Sequence, residues 1–344
     1  MTLQGTPTIS VVICTHTDER WDRLVAAVRS SLSQSLPPCQ VLVVVDHNPA
    51  LLRRVSQELP GAQTVANTGT PGASSARNTG VALAKGDLVA FLDDDAEAAR
   101  DWLEHLVAVF TDQSVLGTGG ALLPNWESER PYWFPEEFDW TVGCSYTGMP
   151  LTTAPVRNLI AANMALRRTK FQQLGGFRPG FGNTRSVPAG LSALVRSRAG
   201  DEETELCIRA LEMWPDCTWI YEPRAQVHHF VPTARTTLRY LLSRCYDEGL
   251  GKARLTRIFG HGQATSSERR YVTSVLTRGV VRRLGSVFER GAGPRLAQAA
   301  AIVLGLSATT AGYAVGWLYG ALTAQTTPLP VAAAPSESAA YSDD

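Results

Sequence analysis

Three consecutive carboxylates, Asp93, Asp94 and Asp95, follow directly on the apolar run Leu88-Val89-Ala90-Phe91-Leu92. Such a run reads as a buried strand, so the acids sit at its C-terminal end, the edge of an open parallel sheet where ligands bind. Adjacent carboxylates repel one another, and a folded site that gathers them calls for a cation. Hard oxygen donors suit Mg²⁺ or Mn²⁺, ions that commonly hold phosphate oxygens as well. The chemistry indicated is a metal–diphosphate site. The plainer reading is a solvated acidic turn that caps the next helix.

The elements that must position this tip alternate along the first third of the chain. Ile9-Ser10-Val11-Val12-Ile13-Cys14 reads as a strand, followed by a helix over 19–33 that Pro37-Pro38 closes. A second strand over 41–45 ends at Asp46, and a helix over 49–59 stops at Pro60-Gly61. A short strand over 62–66, a helix over 74–84, the strand over 88–92 and a helix over 100–110 complete the series. Repeated βα units imply a mostly parallel sheet flanked by helices and joined by right-handed crossovers. Thr15, Asp46, the segment Gly72-Ala73-Ser74-Ser75-Ala76-Arg77 and the three acids then share one sheet edge. Arg77 can offer a planar fork to a phosphate or base; the alternative is a surface helix arginine.

Composition narrows the class. The chain has 344 residues with 32 Lys+Arg against 32 Asp+Glu, and no basic surplus suits nucleic acid as a partner. Six cysteines without a Cys-x-x-Cys pair indicate neither a zinc site nor a disulfide framework, and a reducing, cytoplasmic setting is expected. No signal peptide is expected at the N-terminus. A dinucleotide-binding oxidoreductase would need Gly-x-Gly-x-x-Gly after the first strand, where Cys14-Thr15-His16-Thr17 stands instead.

The ordered set resembles glycosyltransferase family 2, whose members have the GT-A type nucleotide-diphospho-sugar transferase fold. The resemblance rests on the first strand through Thr15, Val43-Val44-Val45-Asp46, Ala76-Arg77-Asn78-Thr79-Gly80 and Gly86 through Asp95, and it covers roughly residues 8–232. It implies that Thr15 and Asp46 contact the nucleobase and that Arg77 lies near the nucleotide. It further implies that Asp93 and Asp95 are the metal-binding aspartates and that Asp94 touches the donor ribose or sugar. Asn163-Met164-Ala165-Leu166 with Leu174-Gly175-Gly176-Phe177 resembles the acceptor-side segment. Asp201-Glu202-Glu203 with Leu206 and Arg209 resembles the Glu-Asp-x-x-Leu-x-x-Arg motif, whose second acid is the catalytic base. Glu203 stands where the family carries Asp, and Asp201 or Glu202 could take the role; the plain alternative is an acidic helix start favoured by the dipole. Val227-His228-His229 resembles the segment whose histidine approaches the metal. Strand alternation puts the two histidines on opposite faces, and spacing favours His229.

The implied activity is a metal-dependent (Mn²⁺ or Mg²⁺), inverting transfer of a sugar from a nucleoside-diphosphate-sugar, UDP first among carriers, to an acceptor hydroxyl. The alternative is a catalytically degenerate GT-A protein serving as a membrane-associated scaffold. Residues 1–234 would form the catalytic domain, with a nucleotide-sugar half over 8–120 and an acceptor half over 121–234. Within the latter, aromatics over 124–149 are either a core satellite or a substrate platform, and 180–200 is a candidate lid. Residues 235–325 read as a basic helical and apolar extension, and 326–344 as a disordered tail. The 28 residues 296–323 carry no charge, and as a helix they would run about 42 Å. Gly312, Gly316 and Gly320 form a small-residue stripe, and arginines precede it. Membrane contact through 268–323, on the cytoplasmic face, is expected, with a span as its strongest form; the rival reading is an Ala-rich helix, or two, packed on the catalytic domain.

Overall fold

The computed structural model describes residues 5–179, 200–264, 266–285 and 292–323. The candidate lid (apart from Gly200) and the tail fall outside them. Strands β1 (Ile9–Thr15), β2 (Gln40–Val45), β3 (Gln63–Ala66) and β4 (Leu88–Asp93) alternate with helices α1 (Trp21–Leu32), α2 (Pro49–Glu58) and α3 (Ala73–Leu83). β1, β2 and β4 are runs of Val, Ile and Leu because helices cover both their faces. Asn48 caps α2 by accepting from Leu51 N at 3.0 Å, with Pro49 at the first helical position. The four strands are parallel in the order β3-β2-β1-β4. Thr15 pairs with Val45, Cys14 with Asp93 and Val45 with Ala66. Thr15, Asp46, Asn67 and Asp93 therefore emerge at nearly one level on the same edge.

The second half of the sheet is mixed. It contains β5 (Ala96–Ala98), β6 (Val115–Trp126), β7 (Ala154–Val156), β8 (Asn163–Arg167) and β9 (Thr218–Val231). β8 runs antiparallel between β4 and β6, β9 is parallel to β6, and β5 and β7 lie antiparallel on β9. Helices α4 (Trp102–Ala108), α5 (Arg168–Leu174) and α6 (Glu202–Met213) flank it. β9 is one long strand that continues through both histidines. β6 forms although Gly117, Gly119 and Gly120 dilute its apolar run.

Core residues fill both faces of the sheet. A third cluster joins Phe134, Phe138, Val142 and Cys144 to Leu241, Cys245, Leu276 and Ile302. Phe134 and Phe138 are thus core, not platform. Their partners come from α7 (Leu238–Ala264) and α10 (Gly293–Thr323), which α8 (Ser266–Arg270), a π-helical turn (Tyr271–Leu276) and α9 (Thr277–Gly285) connect. Within α7 the backbone breaks at Gly260, with φ +78°.

α10 lies along α7 through a glycine seam. A Cβ at Gly312 would stand 2.1 Å from the Tyr246 carbonyl oxygen, and one at Gly249 would stand 2.1 Å from that of Thr309. The stripe is thus spent within the chain. Among the described residues α10 is the one helix long and apolar enough to cross a membrane, and about 33% of its apolar window is buried. Ion pairs fasten the region to the acceptor half, through Glu137 with Arg283 and Arg157 with Glu268, and Lys252 ties α7 to Glu268. Glu137 accepts from both Arg283 terminal nitrogens at 2.7 and 2.9 Å, and Glu268 takes Arg157 at 2.7 Å and Lys252 at 2.8 Å.

Candidate active site

The acidic tip of β4 is gathered by arginines from two directions. Arg77, buried on α3, reaches Asp93 Oδ1 at 3.2 Å with one nitrogen. Its other nitrogen reaches Glu202 Oε1 at 3.2 Å and Glu203 Oε1 at 3.8 Å. One guanidinium therefore joins the β4 acids to the start of α6, 125 residues away in sequence. Burial alone would weaken its charge, but Asp93, Glu203 and Glu202 hold it protonated. Arg20, in the 3₁₀ turn ahead of α1, contacts Asp94 Oδ1 at 3.1 Å and Asp95 Oδ2 at 2.8 Å.

His229 arrives by strand pairing. Ala96 in β5 is opposite His229 and Glu97 opposite His228, so His229 turns inward beside Asp95 while His228 stays exposed. His229 Nε2 lies 3.4 Å from Asp95 Oδ1. Gly143, at φ +87°, lets the imidazole in: a Cβ there would stand 3.0 Å from its Cε1. Donor atoms of Asp93, Asp95 and His229 lie within 4.8 Å of one another, and the Asp94 Oδ2 atom is buried without a hydrogen-bond partner. Two carboxylates and an imidazole, with a spare buried oxygen alongside, fit Mn²⁺ or Mg²⁺.

The acids differ electrostatically. Burial pushes Asp94 up to about 7, against the pull of Arg20. Burial would also raise Asp95, but His229, Arg20 and Arg235 hold it below the ordinary carboxylate range. Burial and the neighbouring Glu202 raise Glu203, with Arg77 opposing. Burial and Glu248 raise Asp201, with Lys252 opposing.

The edge around Asp46 is organised separately. Asp46 accepts from Asn67 Nδ2 at 2.6 Å and from Gly72 N at 2.9 Å, which draws the loop before α3 over the strand ends. Asn67 Oδ1 in turn accepts from Gly69 N, Ser75 Oγ and Thr79 Oγ1 at 3.0 to 3.2 Å. The Thr15 hydroxyl is buried with no hydrogen-bond partner.

Comparison with known proteins gives this geometry a family. The sequence profile of glycosyl transferase family 2 matches residues 10–175. A glucosyl-dolichyl phosphate glucuronosyltransferase of Haloferax volcanii is 31% identical over 324 residues, covering 92% of this chain and 96% of its own. The chain belongs to glycosyltransferase family 2. This family 2 enzyme is also 24% identical, over 268 residues, to the succinoglycan biosynthesis protein ExoM of Rhizobium meliloti, covering 74% of this chain and 77% of that one. Its fold is similar to that of a mannosyltransferase from Pyrobaculum calidifontis solved with GDP-Man and Mn²⁺, with a TM-score of 0.53 at 16% identity, covering 92% of this chain and 88% of the other. The fold is GT-A: a mixed sheet with flanking helices and a C-terminal helix.

Within this glycosyltransferase Thr15, Asp46, Arg77, Asp93, Asp94, Asp95, Glu202, Glu203 and His229 lie about one end of the sheet. Asp201 is placed differently. Its carboxylate lies against α7, where a Cβ on Gly251 would stand 1.9 Å from Oδ2. Four contributors escaped the sequence reading: Arg20, Asn67, Gly143 and Arg235, the last 4.0 Å from Asp95 Oδ2. Only Asn67, directly after a strand end, carried a positional signal.

Proposed function

We propose that this glycosyltransferase moves a sugar from a nucleoside-diphosphate-sugar, UDP-linked in the first instance, to a hydroxyl of a sugar carried on a dolichyl-phosphate-type lipid. Transfer occurs in a single displacement with inversion, at a membrane surface. The carrying observation is the Arg77 bridge, which brings the Asp93 carboxylate and the α6 acids to one guanidinium. The lipid acceptor is supported by the Haloferax relative, a glucosyl-dolichyl phosphate glucuronosyltransferase that aligns over nearly the whole chain.

Asp93, Asp95 and His229 would hold Mn²⁺ or Mg²⁺, whose charge offsets that of the departing diphosphate. Thr15 and Asp46 take the nucleobase in the cleft that Asn67 shapes. Arg77 fixes the spacing between the two acidic ends. Glu203 takes the acceptor proton: it is less buried than Glu202, whose carboxylate is the closer one to Arg77. Asp201 packs under α6 and positions it against α7. The outward face of α10, with Val303, Leu304, Leu318 and Leu322 exposed, lies against the bilayer that carries the acceptor.

The test is transfer from a panel of nucleoside-diphosphate-sugars, UDP-glucuronate among them, to a glucosyl-polyisoprenyl phosphate, with and without Mn²⁺. Product that needs both the divalent ion and Glu203 supports the reading. Transfer that is unaffected by chelation, or undiminished in Glu203→Gln, overturns it.

A further inference from the structure

We propose that Arg20 is a positioning residue for the metal site: it grips one oxygen of Asp95, and Asp94 beside it, so that the other Asp95 oxygen faces His229. The inference rests on the metal reading above and adds to it a residue outside the donor set.

The carboxylate oxygens are divided. Arg20 Nη1 takes Asp95 Oδ2 at 2.8 Å, whereas His229 Nε2 stands 3.4 Å from Asp95 Oδ1. The same nitrogen takes Asp94 Oδ1 at 3.1 Å and leaves the buried Oδ2 without a hydrogen bond. Arg77 does the equivalent for Asp93, contacting Oδ1. Each acid thus has one oxygen held by an arginine.

Three adjacent carboxylates could not remain gathered by their own chemistry. A guanidinium is charged at any accessible pH, and Arg20 is set 75 residues from Asp95 on a short 3₁₀ turn. It therefore holds the tip together before the ion arrives. Its approach to Oδ2 sets it apart from a competitor, which would occupy Oδ1 between Asp95 and His229.

Partners that orient a metal ligand typically contribute about 10- to 100-fold to metal affinity. The test is a titration of the full chain with Mn²⁺ alone, followed by electron paramagnetic resonance of the free ion. Wild type, Arg20→Gln and Arg20→Lys are compared, and the fold of each is checked by thermal melting. Arg20→Gln is expected to weaken Mn²⁺ by about 10- to 100-fold. Arg20→Lys, which keeps a charged nitrogen but on a shorter side chain than the one that reaches Asp94 and Asp95, should recover part of the loss. If Arg20→Gln fails to fold, the lysine variant decides: weaker Mn²⁺ than wild type supports the role. Unchanged or tighter Mn²⁺ in a folded variant overturns it, the latter marking Arg20 as a competitor. Wild type that takes up no Mn²⁺ removes the metal reading, and this inference with it.

Discussion

Arg77 is the residue on which the two acidic ends depend. Removing it leaves the half-buried Asp93 and the more deeply set Glu202 and Glu203 without their counter-charge. Arg77→Ala is expected to cost about 3–5 kcal/mol of stability, as for other broken buried ion pairs, measured by urea unfolding. Glu203→Gln removes the proposed base while keeping its shape. It should lower kcat by about 10²–10⁴-fold with donor binding retained, which separates proton transfer from binding. The raised Glu203 carboxyl sets the sign of the pH dependence. A base must be ionised to act, so kcat should climb as pH rises from acidic to neutral and beyond, and this limb should vanish in Glu203→Gln. At this scale the sequence was informative wherever a side chain ended a strand. Asp46 and Asp93 were legible for that reason, and His229 through strand alternation along β9. Arg20 was not, because a lone arginine in a polar turn looks the same whether it faces solvent or a carboxylate 75 residues away.

Helix α6 presents acids to two neighbours at once, Arg77 on one side and α7 on the other. The Asp201 carboxyl is raised in the fold, so it binds its proton more tightly there than in the unfolded chain. That contribution to stability is full below the unfolded pKa and is lost as pH rises through the folded one. Asp201→Asn should therefore flatten the loss of thermal stability between acidic and mildly alkaline pH, read from melting curves across that window. Along the α7–α10 seam, Gly312→Leu would force a side chain against the Tyr246 backbone and is expected to destabilise by about 1–3 kcal/mol. The βα elements of the first half were legible because β-branched runs and Pro or Gly stops agree with one another. The mixed second half was not: β6 is broken by glycines, β5 and β7 are three residues each, and β8 pairs against the direction that the first four strands suggest.

At the scale of the molecule, one face of α10 is occupied by α7 and the other is apolar and open. Val281 and Leu284 of α9 are exposed beside the exposed Arg282. An apolar face with basic neighbours suits an anionic lipid surface. The chain should float with anionic vesicles, less with neutral ones, and release by alkaline carbonate is the outcome expected of a helix that stays seated on α7. Resistance to carbonate would mark a true span. The glycine stripe and the length of α10 were plain in the sequence; its partner was not, because the pairs that fasten the region, Glu137 with Arg283 and Arg157 with Glu268, join residues more than a hundred positions apart. Those fastenings bear on how the enzyme can be handled. Clipping the chain after β9 to obtain a lipid-free catalytic fragment would strip the cover from Phe134 and Phe138, orphan Glu137, and take Arg235 from Asp95. Keeping the chain whole, rather than truncating it, is the route to an active preparation.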